Sequence, residues 1–204
     1  MILKIHPDNP NPRKISQVIE CLLDGGIIVY PSDTVYGIGC DIFNKKSVEK
    51  IARIKGLNIK KQNFSFICSD LSHISDFTKQ IDNKTYKLMK RNLPGPFTFI
   101  LNANNRIPKL FKINKKTVGI RVPNHNIPQE IVKQLGNPII TTSVKDDDKI
   151  IEHSTNPDLI YKKIKHLVDI VIDGGFTGNE PSTIVDCTKY DFEIIRQGKG
   201  KLLL

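Results

Sequence analysis

At 204 residues with 39% hydrophobic content, the chain is long enough for one well-buried core and too short for two independent ones, so one domain spanning 1–204 is expected. No apolar run reaches the roughly 18 residues of a membrane span, and the N-terminal MILKIHPDNPNPRK is too briefly apolar for a signal-peptide core; a cytoplasmic location with no membrane partner is expected. The net charge of +10 points to a polyanionic partner such as RNA, although Lys, Ile and Asn abound while alanine occurs only at Ala52 and Ala103, a skew that adds lysines regardless of function.

In chain order, Ile15, Val18, Ile19, Leu22 and Leu23 share one helical face, and Asp24-Gly25-Gly26 stops that helix before a strand IIVYP. Directly behind this strand comes PSDTVYGIGCD (31 to 41), read as a strand exit crowded with small hydroxyls and glycines. A second helix starts near Asn44 to Ser47 and carries Val48, Ile51, Ala52 and Ile54 before Gly56. FSFIC (64 to 68) reads as a strand, and 82 to 92 as a helix ended by Pro94-Gly95-Pro96. FTFIL (97 to 101) and TVGIRV (117 to 122) are strands, and a helix opens at Pro128 and closes at Gly136. PIITTS (138 to 143) is a strand, KDDDKIIEHS (145 to 154) a loop whose acidic triplet reads as solvated charge, and Asn156-Pro157 introduces a further helix. Three last strands lie around VDIVI, STIVDC and FEIIRQ. The repeated exchange of helix and strand periods gives an α/β sandwich or a mixed twisted sheet with helices against it.

Several chemistries are absent from the sequence. It holds no G-x-x-x-x-G-K-[ST] phosphate loop, no G-x-G-x-x-G after a strand, no H-E-x-x-H and no G-x-S-x-G elbow. Cys21, Cys40, Cys68 and Cys187 lack the paired spacing of a zinc or C-x-x-C site and read as reduced core or edge residues; no metal site is expected. The five histidines are isolated and read as surface residues. Of 31 basic residues only six are arginine, so an arginine in a strand suggests use of its rigid bidentate fork. The strand exits carry Ser32, Asp33 and Thr34; Arg121; Thr141, Thr142 and Ser143; Ser182 and Thr183; and Arg196. Brought together, that set would line an anion pocket.

In this order, PSDTVYGIGCD, PGPFTFIL (94 to 101), GIRVPNH (119 to 125), ITTS (140 to 143), PSTIVD (181 to 186) and IIRQGKG (194 to 200) resemble the signature blocks of the YrdC and YciO family, across nearly the whole chain. The resemblance implies a single α/β domain with a twisted, mostly open mixed sheet, flanking helices and a basic concave cleft. Its best-understood members are L-threonylcarbamoyladenylate synthases, which combine threonine, bicarbonate and ATP and release pyrophosphate in a tRNA modification; members also bind double-stranded RNA. It further implies that Ser32, Asp33, Thr34 and Tyr36 frame a threonine-like small substrate, with Gly37 and Gly39 allowing close backbone approach, and that Arg121, Thr142, Ser143, Ser182, Thr183 and Arg196 meet the nucleotide. A local alternative stays open, in which Asp33 and Thr34 make an Asx-type turn and Tyr36 is core.

The chain departs from the synthase pattern twice. The K-x-R signature becomes Lys55-Gly56-Leu57, and S-x-N becomes Ser143-Val144-Lys145. Lys55 and Ser143 survive as the expected catalytic pair, and the surrounding RIKGLNIKKQNFSFICSDLS is similar to the YciO branch. The resulting expectation is a YciO-type protein that binds ATP, with magnesium as an accompanying option and no tightly held cofactor, and that binds double-stranded RNA or tRNA through Lys60, Lys61, Lys115 and Lys116. The alternative is a weak or altered synthase.

Overall fold

The computed structural model describes residues 1–56, 64–108, 116–144 and 155–204. Its strands are β1 (Ile2–Lys4), β2 (Ile28–Tyr30), β3 (Gly37–Asp41), β4 (Ser65–Ile67), β5 (Phe97–Asn102), β6 (Thr117–Arg121), β7 (Ile139–Ser143), β8 (Ile170–Asp173), β9 (Thr183–Asp186) and β10 (Glu193–Arg196). The helices are α1 (Pro12–Leu23), α2 (Lys45–Ile54), α3 (Leu71–Ser75), α4 (Asn83–Asn92), α5 (Asn126–Leu135) and α6 (Pro157–Ile164). Helix starts follow side-chain capping: Asn11 and Asn156 each precede a proline at the first helical position and accept from backbone N–H groups of the first turn, as do Asn44 and Asp82 for α2 and α4.

All ten strands pair into one mixed sheet, ordered β1-β8-β2-β3-β7-β4-β6-β5-β9-β10. Pairing is parallel for β1 with β8, β8 with β2, β4 with β6 and β5 with β9, and antiparallel elsewhere. Strand alternation then sorts the side chains. One face carries Val29, Ile38, Phe66, Phe99, Ile120, Ile140, Val171 and Val185, a continuous apolar layer packed against Val48 and Ile51 of α2, Ile74 of α3, Leu88 and Met89 of α4 and Ile160 of α6. The other face is divided. At one end Ile28, Tyr30, Ile67, Ile139, Ile170 and Ile172 lie under Ile15, Val18 and Leu22 of α1 and Ile127, Ile131 and Val132 of α5. Beyond Ile67 and Ile139 that face turns polar.

Four elements depart from the sequence reading. GIGCD, read as part of the exit from the preceding strand, is the fully buried strand β3 at the centre of the sheet; two glycines hide the alternation that would identify it. LSHIS forms the short helix α3, and ILK pairs with β8 as an edge strand. Helix α5 starts two residues before Pro128, with His125 as its cap.

Candidate functional site

The divided face of the sheet becomes a cleft where its helical cover stops. Register places Ser65 opposite both Thr141 and Gly119, Gly37 opposite Ser143, and Ile184 opposite both Thr98 and Arg196. All of these except Gly119 line an open cleft of about 190 Å³, joined by Thr34, Val35, Tyr36, Arg121, Thr142, Pro181 and Ser182. Two arginines and eight Ser, Thr and Tyr positions thus converge, and none of the described lining residues is acidic.

Arg121 organises the wall. Its guanidinium is almost wholly enclosed, and Nη2 donates to Asp33 Oδ1 at 3.1 Å and to Thr34 Oγ1 at 3.0 Å. The second oxygen of Asp33 accepts from the Asn124 backbone N–H at 3.0 Å, and its main-chain carbonyl accepts from Lys199 Nζ at 2.5 Å. Ser32 Oγ donates to Val35 O at 2.7 Å and accepts from Thr34 N at 3.2 Å. With that proton committed, the 3.0 Å contact between Ser32 and Thr34 takes its proton from Thr34. Arg121 Nε is buried and has no hydrogen-bond partner among the described residues. Arg196 donates from Nη2 to Ser182 O at 2.8 Å, and burial together with the positive charge of Arg121 pushes its pKa down. Two cations therefore share a pocket with one paired carboxylate, and the field there favours an anion.

Of the residues singled out in the sequence, Thr34, Tyr36, Arg121, Thr142, Ser143, Ser182 and Arg196 all line this cleft. Thr142 is turned by its register with Ile38 toward the apolar face. Ser32 and Asp33 stand behind the lining and hold Thr34 and Arg121 in place. The local turn is made by Ser32, while Asp33 reaches across the fold to Arg121 and Asn124. Tyr36 is fully buried in the core; its hydroxyl donates to Gly175 O at 2.7 Å and accepts from Gly174 N at 3.3 Å, and burial raises its pKa. Thr183 does not line the cleft: its hydroxyl donates to Gly200 O at 2.6 Å and accepts from Gly198 N at 2.9 Å, fastening the C-terminal segment. Lys55 ends α2, with its N–H donating to Ile51 O at 3.0 Å, and also lies outside the lining. Lys116 precedes β6 at the end opposite Arg121, five residues and on the order of 16 Å along the strand from it. Leu57, Lys60, Lys61, Lys115 and Lys145 lie outside the described residues.

The glycines of β3 also have a steric task within the sheet. A Cβ on Gly37 would sit 2.9 Å from Tyr30 Cζ, and one on Gly39 would sit 2.3 Å from Ile140 O and 3.1 Å from Tyr30 Cε1. Both make room for the Tyr30 ring beneath the cleft floor. Sequence reading also passes over Ser65 and Thr98 in the lining and Asn124 and Lys199 behind it. Thr98, Asn124 and Lys199 stand inside the signature-like blocks, where their signal is available; Ser65 stands in the YciO-like segment 53–72, where FSFIC reads as an ordinary strand.

A model of the Sua5/YciO/YrdC domain, described as "Telomere recombination", matches residues 20–198. YciO of Escherichia coli K12 is 39% identical over 197 residues, covering 96% of this chain and 94% of that protein. The crystal structure of E. coli YciO matches with a TM-score of 0.91 at 38% identity, covering 98% of this chain and 97% of that one. A threonylcarbamoyl-AMP synthase of Coxiella burnetii is 33% identical over 135 residues, 66% of this chain and 72% of that protein. The structure of P. abyssi Sua5 complexed with L-threonine shares the fold, with a TM-score of 0.87 at 24% identity over 97% of this chain and 57% of that one. A family match over most of the chain, together with full-length likeness to YciO in both sequence and fold, makes this protein a YciO-type member of the Sua5/YciO/YrdC family.

Proposed function

We propose that the cleft binds ATP, with phosphate oxygens held between Arg121 and Arg196 and a threonine-like molecule at the Thr34–Tyr36 end. The observation that carries this reading is the buried Arg121 Nε, a donor with no partner among the described residues, on a side chain that lines a site with a second arginine and no acid among its described lining residues. An unpaired buried donor costs about 1 to 3 kcal/mol, a cost that an anionic ligand would relieve. The 33% identity to a threonylcarbamoyl-AMP synthase supports ATP as the nucleotide, and a Sua5 of the same fold holding L-threonine supports the small substrate. Magnesium would arrive as the counter-ion of the ATP phosphates; among the described residues no three His, Cys, Asp or Glu side chains cluster to hold a metal.

Synthase-type chemistry is the second reading, favoured by the same Coxiella relative. Arg121 and Arg196 would then stabilise charge building on departing pyrophosphate, and Ser143, at the cleft mouth, would donate to the same group. Binding of double-stranded RNA or tRNA rests on the +10 charge, and Lys116, at the far end of β6, would place such a surface away from the cleft.

The test is a calorimetric titration of the chain and of Arg196→Gln with ATP. Arg196 makes one backbone contact, so its loss should spare the fold and weaken ATP by about 1.5 to 3 kcal/mol, the worth of a hydrogen bond to a charged group. Failure of the unaltered chain to bind ATP would contradict the nucleotide reading. Pyrophosphate release that requires both threonine and bicarbonate would establish the synthase reading, and its absence beside normal ATP binding would remove it.

A further inference from the structure

Tyr30 is a fully buried phenol that lies under the cleft without lining it. Its hydroxyl donates to Thr141 Oγ1 at 2.5 Å, and burial lifts its pKa to about 12, so it remains protonated and a donor at any physiological pH. Thr141 is itself buried and lines the cleft. A threonine hydroxyl has one proton and two lone pairs. One lone pair of Thr141 is filled by Tyr30, and among the described residues no protein acceptor takes its proton. The cleft is the direction left to it. Thr34 has the reverse arrangement: its proton goes back to Ser32 and Arg121 fills one of its lone pairs, so it can offer the cleft only a lone pair.

We infer that Tyr30 is a positioning residue: by donating to Thr141 it fixes the Thr141 hydroxyl as a donor aimed at an anionic oxygen of the bound ligand. The two glycines of β3 are part of this device. A Cβ at position 37 would meet Tyr30 Cζ at 2.9 Å, the Tyr30 hydroxyl at 3.0 Å and Thr141 Oγ1 at 3.1 Å, so it would press on both members of the pair and force one of them to shift. Gly39 clears the other edge of the same ring. The anionic oxygen belongs either to a phosphate or to a carboxylate, and this inference rests on the cleft being the ligand site proposed above.

The experiment is a double-mutant cycle of Tyr30→Phe and Thr141→Val, titrated separately with ATP and with L-threonine to tell phosphate from carboxylate. Thr141→Val should weaken one of the two ligands about 10-fold or more, the range for a hydrogen bond to a charged acceptor. Tyr30→Phe keeps the ring and should weaken the same ligand about 3- to 10-fold, because the hydroxyl of Thr141 then turns freely between orientations. The decisive result is the combination: in the Thr141→Val background, Tyr30→Phe should have no further effect on affinity. Thr141→Ser should retain most of the affinity and the full sensitivity to Tyr30→Phe. Independent, additive losses would show that Tyr30 acts on the fold and would overturn the inference, as would a Tyr30→Phe chain that binds both ligands normally. A parent chain that binds neither ligand would instead overturn the site assignment, and the inference with it.

Discussion

Strands β4 and β7 each cross from one kind of surface to another within two residues. On β4, Ile67 lies buried under the α1–α5 layer while Ser65, on the same face, opens into the cleft. On β7, Ile139 is in that core while Thr141 and Ser143 line the cleft. The opposite face of the same strands shows no such break: Phe66 and Ile140 sit in one continuous apolar layer. The change from isoleucine to hydroxyl therefore marks where the helices stop, and a strand that is apolar on one face and half apolar, half polar on the other is the mark of a sheet-borne site. Burial supplies the stability on one side of the boundary. On the other, the sheet presents hydroxyls and two arginines, of which Arg121 is enclosed and held by Asp33 and Thr34, with little side-chain freedom left to lose.

The largest expected effect comes from breaking the pair that seals the boundary. Arg121→Ala would leave Asp33 charged, nine-tenths buried and without its partner, and should destabilise the chain by about 3 to 5 kcal/mol in urea unfolding. Adding Asp33→Asn should return part of that loss, since a neutral amide can still accept from the Asn124 N–H; no recovery would mean that the arginine stem, and not its charge, carries the effect. The two sides of the boundary should then separate cleanly. Ile139→Ala, in the covered half, should cost about 2 to 5 kcal/mol of stability. Ser65→Ala, two strand positions into the open half, should change stability by no more than about 0.5 kcal/mol. Comparable losses at both sites would erase the distinction. An intermediate effect is expected at the boundary itself: Gly37→Ala must displace Tyr30 and Thr141 and should cost about 1 to 3 kcal/mol, with ATP affinity falling beyond what Ser65→Ala produces.

The sequence made the apolar layer legible and the cleft only partly so. Helices α1, α2, α4 and α6 announce themselves through period and capping residues, and FTFIL, TVGIRV and PIITTS through β-branched and aromatic runs. Strand β3 is not legible, because Gly37 and Gly39 stand on the face where a core residue would show; the reason for glycine there is the bulk of Tyr30 on one neighbouring strand and, at Gly39, the Ile140 carbonyl on the other, both long-range facts. Arginine in a strand and hydroxyls at strand exits do identify most of the cleft. What they cannot distinguish is lining from support: Thr183 has the same hydroxyl chemistry as Ser182, and only the pleat and the path of the 197–200 segment turn it inward, while Asp33, next to Thr34 in the chain, is taken up by Arg121 and the Asn124 N–H. Lys116 shows the same limit on a larger scale, since proximity to Arg121 along the chain becomes separation along a strand.

Determination of a crystal structure with a non-hydrolysable ATP analogue tests the central claim most directly, because it reads the unpaired donor itself. An analogue seated on the polar half of the face, with a phosphate oxygen within about 3 Å of Arg121 Nε and another on the Arg196 guanidinium, is the expected result. A nucleotide bound elsewhere on the chain, or one in the cleft that leaves Arg121 Nε without a partner, would contradict it.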